Sequence, residues 1–264
     1  MNKAFPTELV YQVFALLIAF IVVHATYVAL IRPAADAHLE QQRTLMAADK
    51  NHIEERSMYV VLRDYEQEAC FVLMLWALAI MGLKGTRTYR QQKELNMDLL
   101  QLPPDMPIGH EDVRGLTQKL YALPTPMQDN LLPRALTTAV ERFGATRNVA
   151  DVADASRDVC ESEGERLESE LSIIRYIAWA IPSVGFIGTV RGIGDALGQA
   201  HRAVEGDITG VTESLGVAFN STFIALVISI VLMFFIHQLQ LMQERLVLDT
   251  ERYVDRWFVR RLRV

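Results

Sequence analysis

Four polar side chains lie inside two long apolar runs of the sequence, where polar groups are uncommon. The later run contains Asn220, Ser221 and Thr222, and the earlier one contains Thr189. Polar groups at mid-membrane depth usually face the interior of a helix bundle or a hydrated cavity. Hydroxyl groups can relay a proton or line a hydrated path, although they cannot store a titrating proton. These four residues therefore face either a neighbouring helix or a hydrated path, and in the second case they are the residues expected to line an ion path.

Acidic side chains are missing from the depths of the apolar runs. Although the chain has 32 Asp and Glu residues, none lies deep in a run. If protons cross here, the titrating carboxylate is expected to come from another chain. Arg191 and Asp195 lie four residues apart near the end of the earlier run. Side chains at this spacing are neighbours on a helix, so we expect an ion pair near the outer surface.

Signatures of catalysis and of metal binding are absent from the sequence. The six histidines are scattered without the paired spacing that zinc sites use. The glycines from Gly192 to Gly198 have the spacing G-x-G-x-x-x-G, which differs from that of a dinucleotide-binding loop. A net charge of −6 argues against a general nucleic-acid binder. The sequence therefore predicts a protein that is not an enzyme, with no metal, cofactor or nucleic-acid partner.

Four apolar runs predict an all-α integral membrane protein with four transmembrane helices. Two charge-free runs, Val10–Ile31 and Leu215–Ile236, contain 22 residues each. A helix of that length spans about 33 Å, against about 30 Å for the hydrocarbon core of a bilayer. The run within 172–198 carries Arg191 and Asp195, and the run 69–83 has only 15 residues. A version with three crossings would place that short run in the membrane interface, with the N-terminus outside.

Lysine and arginine residues predict the orientation of the helices. The stretch 84–171 carries 11 of them and the tail from Gln238 carries six, whereas 32–68 has five and 199–210 has one. Because basic residues mark the cytoplasmic side, both termini and 84–171 are expected to lie inside. The predicted segments are a cytoplasmic N-terminus (1–9), transmembrane helix 1 (10–31), a periplasmic loop or helix (32–68), a short transmembrane helix 2 (69–83), a cytoplasmic helical domain (84–171), transmembrane helix 3 (172–198), a periplasmic loop (199–210), transmembrane helix 4 (211–237) and a cytoplasmic helical tail (238–264).

Long helices are expected to extend from the membrane into the cytoplasm. No proline occurs between Asn148 and Pro182, so one helix is expected to continue from the cytoplasm into the membrane. Apolar residues recur at helical spacing beyond Ile236, so the last helix is also expected to continue. Gly144 is expected to break the cytoplasmic domain.

Small residues follow one face of each of the last two predicted spans. Gly185, Thr189, Gly192 and Ala196 recur at intervals of four, three and four. Such stripes let membrane helices pack closely, because lipid gives them no hydrophobic reason to associate. Pro182 removes the hydrogen bond to the Ala178 carbonyl, which therefore needs another partner. The residues assigned to the helix kink and to packing are Pro182, Gly185, Gly188, Gly192, Ala218 and Ala225.

The sequence from Ile181 to Ile193, IPSVGFIGTVRGI, resembles the P-x-x-G-x-x-G-T-V-x-G-I signature of the MotA/TolQ/ExbB proton-channel family. The stretch Leu215–Leu226 resembles the last span of that family, and the resemblance extends from Ile173 to Gln238. Four crossings with a large cytoplasmic segment are similar to the flagellar-stator branch. The G-T-V-x-G-I wording is more similar to the TolQ/ExbB branch.

This resemblance implies a homo-oligomer, typically a pentamer, around single-span partner helices in the bacterial inner membrane. A MotB/TolR/ExbD-like partner would supply a membrane aspartate. Thr189 and Thr222 match the pore threonines of the family, and Pro182 matches its kink proline. Two departures are Arg191, where relatives often have an aromatic residue, and the absence of a late proline in the last span.

The implied function is a proton-channel-forming subunit of a motor or stator complex that couples proton-motive force to mechanical work. The alternative is a non-conducting membrane scaffold that anchors a cytoplasmic helical stalk. A small-molecule transporter fits less well, since the sequence has neither an inverted repeat nor a deep charged site.

Overall fold

The computed structural model describes residues 7–48, 57–100, 103 and 106–263. Within these ranges the chain is helical and has no strand, and one isolated β-bridge joins Ile108 to Leu262. In chain order the elements are α1 (Thr7–Thr26), a π-helical turn (Tyr27–Ile31), α2 (Arg32–Ala48), α3 (Met58–Leu62), α4 (Tyr65–Glu94), a 3-10 turn (His110–Asp112), α5 (Val113–Tyr121), α6 (Thr125–Gln128), α7 (Leu131–Thr146), α8 (Val149–Glu170), α9 (Ser172–Gly198), α10 (Ala200–Val204), α11 (Thr209–Trp257) and a 3-10 turn (Val259–Arg261).

Four helical stretches are long and apolar enough to cross a bilayer. They are Glu8–Gln42, Tyr65–Glu94, Val149–Gly198 and Thr209–Arg261, with mean hydropathies of 2.5, 1.8, 1.5 and 2.4 in their most apolar windows. The prediction of an all-α protein with four helices able to span a membrane is confirmed. The second stretch contains the short run 69–83 and extends it at both ends.

Helix boundaries agree with the expected ones at most places and differ at one. The stretch Val149–Gly198 is one long helical stretch, as expected, and only a turn at Leu171, whose N–H lies 3.1 Å from the carbonyl oxygen of Glu168, divides it into α8 and α9. The expected break at Gly144 is wrong, because α7 continues to Thr146. The helix ends instead at Arg147, whose left-handed φ of 52° is typical of a residue that terminates a helix. Helix α11 continues beyond Ile236 as predicted.

The chain forms two compact units, each built from two separate stretches. The first unit comprises Met1–Met81 and Ile173–Ile236, and the second comprises Gly82–Ser172 and His237–Val264. In the second unit, α5, α7, α8 and the end of α11 enclose an apolar core. The largest fully buried side chains of that core include Leu131, Leu136, Phe143 and Phe258.

Helix α1 packs against α4 in the first unit. Val23, Tyr27 and Val72 form a small apolar cluster between the two helices. The Trp76 indole N–H donates to the Gln12 carbonyl oxygen at 2.9 Å. Most of the other large apolar side chains of α1 are exposed within the single chain. An apolar exterior of this kind is typical of a helix that faces lipid or another membrane helix.

Helices α9 and α11 approach each other closely through small residues. A Cβ atom built on Gly192 would lie 2.7 Å from the Ser214 carbonyl oxygen and 2.8 Å from the Ala218 Cβ. A Cβ atom on Gly185 would lie 3.0 Å from the Ser221 carbonyl oxygen. Glycine fits these positions because a Cβ at 192 would collide with the α11 backbone and a Cβ at 185 would collide with the Ala225 Cβ. The small-residue stripes therefore lie in the contact between these two helices.

Gly192→Ala should separate α9 from α11, because its methyl group would fall on the α11 backbone. We expect a loss of about 1–3 kcal/mol in the stability of the first unit, the usual cost of overpacking. Thermal unfolding of the full chain in detergent measures the change. Gly194→Ala is the matched control: nothing lies within 4 Å of its added Cβ, so it should leave stability unchanged or raise it by up to about 1 kcal/mol. Equal melting of the two variants would contradict the packing described above.

Candidate functional site

Thr189 and Thr222 face each other across the contact between α9 and α11. Their hydroxyl oxygens are within hydrogen-bonding distance of each other. The Thr189 hydroxyl also lies 3.0 Å from the Ala218 carbonyl oxygen, and that of Thr222 lies 3.0 Å from the Gly185 carbonyl oxygen. The Thr189 hydroxyl also lies 3.4 Å from the Gly185 carbonyl oxygen. Since each hydroxyl has one proton, the pair has two protons for four contacts. The pair can therefore exchange hydrogen-bond donors by rotating its O–H groups, without moving the helices.

Ser221 belongs to the same polar layer, whereas Asn220 lies beside it. The Ser221 side chain is fully buried, and its hydroxyl lies 3.2 Å from the Gly185 oxygen and 3.0 Å from the Ala218 oxygen. Asn220 is half-buried and forms no hydrogen bond with the described residues. The structure thus brings together three of the four residues predicted to line an ion path, Thr189, Thr222 and Ser221.

Pro182 lies inside α9, and α11 satisfies the carbonyl that this proline leaves free. The Ser229 hydroxyl donates to the Ala178 carbonyl oxygen at 3.2 Å. The neighbouring Ile181 carbonyl oxygen accepts a weaker contact from the Cys70 thiol, at 3.7 Å. An unpartnered carbonyl in a bilayer costs several kcal/mol, so Ser229 allows the proline to be tolerated.

Arg191 is paired with Glu66 of α4, although Asp195 was predicted as its partner. Nε and one terminal nitrogen of the guanidinium each lie 2.8 Å from a different Glu66 carboxylate oxygen. A bidentate pair of this geometry is the strongest that arginine forms with a carboxylate. An arginine placed four residues before an acidic residue is also the less favourable order on a helix. The expected pair with Asp195 is therefore replaced by a contact between helices.

A second buried carboxylate, Glu68, lies on the opposite side of the first turns of α4. Its side chain is 8% exposed. One oxygen lies 2.7 Å from His24 Nδ1, and the other is paired with Arg32. The Tyr27 hydroxyl nearby is buried and has no hydrogen-bond partner among the described residues. Glu68 therefore places a carboxyl group in the contact between α1 and α4.

The π-helical turn explains how His24 and Arg32 reach the same carboxylate. In a regular α-helix, residues eight positions apart point about 80° apart. The turn at Tyr27–Ile31 lies between them and contains more residues per turn than an α-helix. The wider turn compensates for this difference in side-chain direction, so both side chains face Glu68.

Neither Glu66 nor Glu68 was predicted from the sequence as a functional residue. Both precede the apolar run 69–83, and this position placed them in a loop outside the membrane. Helix α4 begins at Tyr65, however, so both belong to its first two turns and lie among the helices of the first unit. Their spacing of two residues places them on opposite faces of a helix. This spacing was the one feature of the sequence from which contacts with two different helices could have been predicted.

A polar pocket of about 290 Å³ lies in the first unit next to Arg191. Its lining residues are Arg63, Asp64, Arg191, Asp195, Gln199, Gly210, Glu213, Ser214 and Val217. Burial raises the pKa of Asp64, and the nearby Arg63 and Arg191 oppose that shift. Among the described residues, no group of histidine, cysteine or acidic side chains could hold a metal ion.

A comparison with known protein families identifies the part of the chain that carries this site. The model of the MotA/TolQ/ExbB proton channel family matches residues 127–252, a range that includes Pro182, Thr189 and Thr222. Comparisons with curated proteins and with solved structures gave no significant match. The resemblance of the sequence motifs to this family is thus confirmed. Over residues 127–252, which are just under half of the chain, the sequence is similar to the MotA/TolQ/ExbB proton channel family.

Proposed function

We propose that this chain is the channel-forming subunit of a membrane motor or stator complex, which couples proton-motive force to mechanical work on a partner. The family match supports a membrane subunit of the proton-channel type. The observation that carries the proposal is the Thr189–Thr222 pair, which lies within the matched residues. Both side chains are half-buried, so each is accessible from outside the single chain.

The proposed assembly is a homopentamer around a single-span partner that contributes a membrane aspartate. Two observations support a partner. No acidic residue occurs between Tyr176 and Val190 or between Ser214 and Ile236, so the last two spans lack a titrating group of their own. Large apolar side chains of both helices, including Phe186, Phe223 and Ile230, are more than 60% exposed in the single chain. These surfaces fit neighbouring subunits, the partner helix or lipid.

The proposed location is the bacterial inner membrane, with both termini in the cytoplasm. Basic residues support this orientation, since 11 lie in 84–171 and only one lies in 199–210. In this arrangement α10 and the pocket beside Arg191 face the periplasm. Residues 84–171 and the tail from Gln238 then lie in the cytoplasm.

A non-conducting scaffold is the second candidate, and one observation favours it. The Thr189, Thr222 and Ser221 hydroxyls all contact carbonyl oxygens within the contact between α9 and α11. Hydroxyls that only join two helices would have the same contacts. The two candidates differ in whether the Thr222 hydroxyl is needed for proton flow or only for packing.

Thr222→Val should abolish proton flux and force generation while the oligomer still assembles. Valine keeps the approximate shape of the side chain but removes the hydroxyl, and the Ser221 hydroxyl still contacts the Gly185 carbonyl oxygen. We therefore expect a stability loss of only about 1 kcal/mol. Proton uptake by membrane vesicles that contain the chain with its partner measures flux, and native mass spectrometry measures assembly.

Thr212→Val is the matched control, because Thr212 is exposed on the first turn of the same helix and contacts the Ile208 and Thr209 carbonyl oxygens. It should conduct normally. Normal flux in Thr222→Val would exclude the proposed role of the hydroxyl and favour the scaffold.

The purified chain without its partner should conduct few protons. Its last two spans have hydroxyls but no carboxylate, so a proton has no acceptor at mid-membrane depth. Liposomes that contain the chain and a pH-sensitive dye measure the leak, and protein-free liposomes are the control. A leak far above that of the protein-free liposomes would show that the chain needs no partner carboxylate.

A further inference from the structure

We propose that Glu66 takes up the transported proton before it reaches the Thr189–Thr222 pair, and that Arg191 holds the carboxylate in place until the proton arrives. This inference rests on the proposed function, since it assigns a further residue to the same ion path. It also gives this chain a titrating carboxylate of its own, at the end of the path rather than within it.

The stem of the Glu66 side chain lies beside the hydroxyl layer. A Cβ atom built on Gly188 would lie 3.1 Å from the Glu66 Cγ and 2.6 Å from the Ser221 Cβ. Gly188 thus leaves the space that both side chains occupy, one residue before Thr189. The Glu66 side chain is only 11% exposed. Its stem therefore passes between the helices beside Ser221 and does not extend into solvent.

Arg191 has a second carboxylate available besides Glu66. It lies two residues beyond Thr189 and also lines the polar pocket. Asp195 lines the same pocket one turn further along α9 and is exposed. Residues four apart on a helix are neighbours, so the 43% exposed guanidinium can move from Glu66 to Asp195 by rotating its side chain. Arg191 can therefore pair with either of two carboxylates, Glu66 or Asp195.

The proton step follows from these two arrangements. A hydronium ion in the pocket gives its proton to a Glu66 carboxylate oxygen, so one O–H bond forms, another breaks and no electrons are exchanged. Neutral Glu66 no longer attracts Arg191, which keeps its own proton and pairs with Asp195. When Glu66 passes its proton towards the hydroxyl layer, its charge returns and Arg191 moves back. Each cycle transfers one proton and leaves the side chains unchanged.

Several other charged groups lie near Glu66 or on the same helix. Glu68, on the opposite face of α4, is already engaged by His24 and Arg32. The remaining charged groups near Glu66 and its pocket are Arg63 and Asp64 before α4, Arg191 and Asp195 of α9, and Glu213 of α11. Because burial raises the pKa of Asp64, this residue takes up a proton at a higher pH than an exposed aspartate does.

A structural brace is the competing role for the Glu66–Arg191 pair, and four variants separate the two roles. They are Glu66→Gln, Glu66→Asp, Arg191→Gln and the double variant Glu66→Gln/Arg191→Gln. Each is tested in vesicles that contain the chain with its partner, by proton flux as a function of pH. Glu205→Gln, in the exposed loop after α10, is the matched control and should conduct normally.

We expect Glu66→Gln to lower flux by about 10²-fold, a typical contribution of one positioned proton-transfer group. Glu66→Asp should restore part of the flux. Arg191→Gln keeps the carboxylate, so flux should persist. The double variant should remain as inactive as Glu66→Gln.

A brace gives the opposite pattern, and that pattern would overturn the proposal. Both single variants would then be impaired, because each removes one member of the contact between α4 and α9, and the double variant, which leaves neither charge without its partner, would recover. Thr222→Val in the same vesicles separates this inference from the proposed function. If Thr222→Val is inactive and Glu66→Gln conducts normally, only the role of Glu66 fails. If Thr222→Val conducts normally, the threonine path itself fails.

Discussion

The close approach of α9 and α11 is the constraint on which the rest of the first unit depends. Lipid is as apolar as the side chains of these helices, so only tight packing and polar contacts hold the helices together. Glycine at 185 and 192 brings the two backbones within reach of short side chains. Threonine and serine hydroxyls on one helix can therefore contact carbonyl oxygens of the other, and Ser229 can satisfy the carbonyl that Pro182 leaves free.

Most of this contact could be predicted from the sequence, because it depends on spacing along single helices. The apolar runs have the length of a bilayer crossing, and the small residues recur at the helical period. The partner of Arg191 could not be predicted in the same way. Asp195 is its neighbour on the same helix, whereas Glu66 lies 125 residues earlier and becomes its neighbour only when α4 packs beside α9. Local spacing identifies the charges but not the helix that supplies the partner.

The buried cluster around Glu68 shows a second limit of reasoning from periodicity. His24 and Arg32 point in different directions on a regular helix, so their spacing does not predict a shared partner. The π-helical turn between them changes that angle, and nothing in the residues from Tyr27 to Ile31 marks it in advance. Helix α4 begins at Tyr65, ahead of the apolar run, and this early start places Glu66 on the helix, which the sequence did not predict. In each case a small change in helix geometry places a charged group among the helices.

Packing and conduction need not be alternative roles for the hydroxyls of α9 and α11. Thr189 and Thr222 have fewer protons than hydrogen-bond contacts, so the pair can satisfy the helix contact in more than one arrangement. In the proposed path this pair passes a proton between two carboxylates, one of which is the aspartate of the partner. Glu66 lies at one end of the layer, held by an arginine that has a second carboxylate one turn away. The same glycine face that packs the helices also leaves room for Glu66, so one constraint produces both the contact and the proton acceptor beside it.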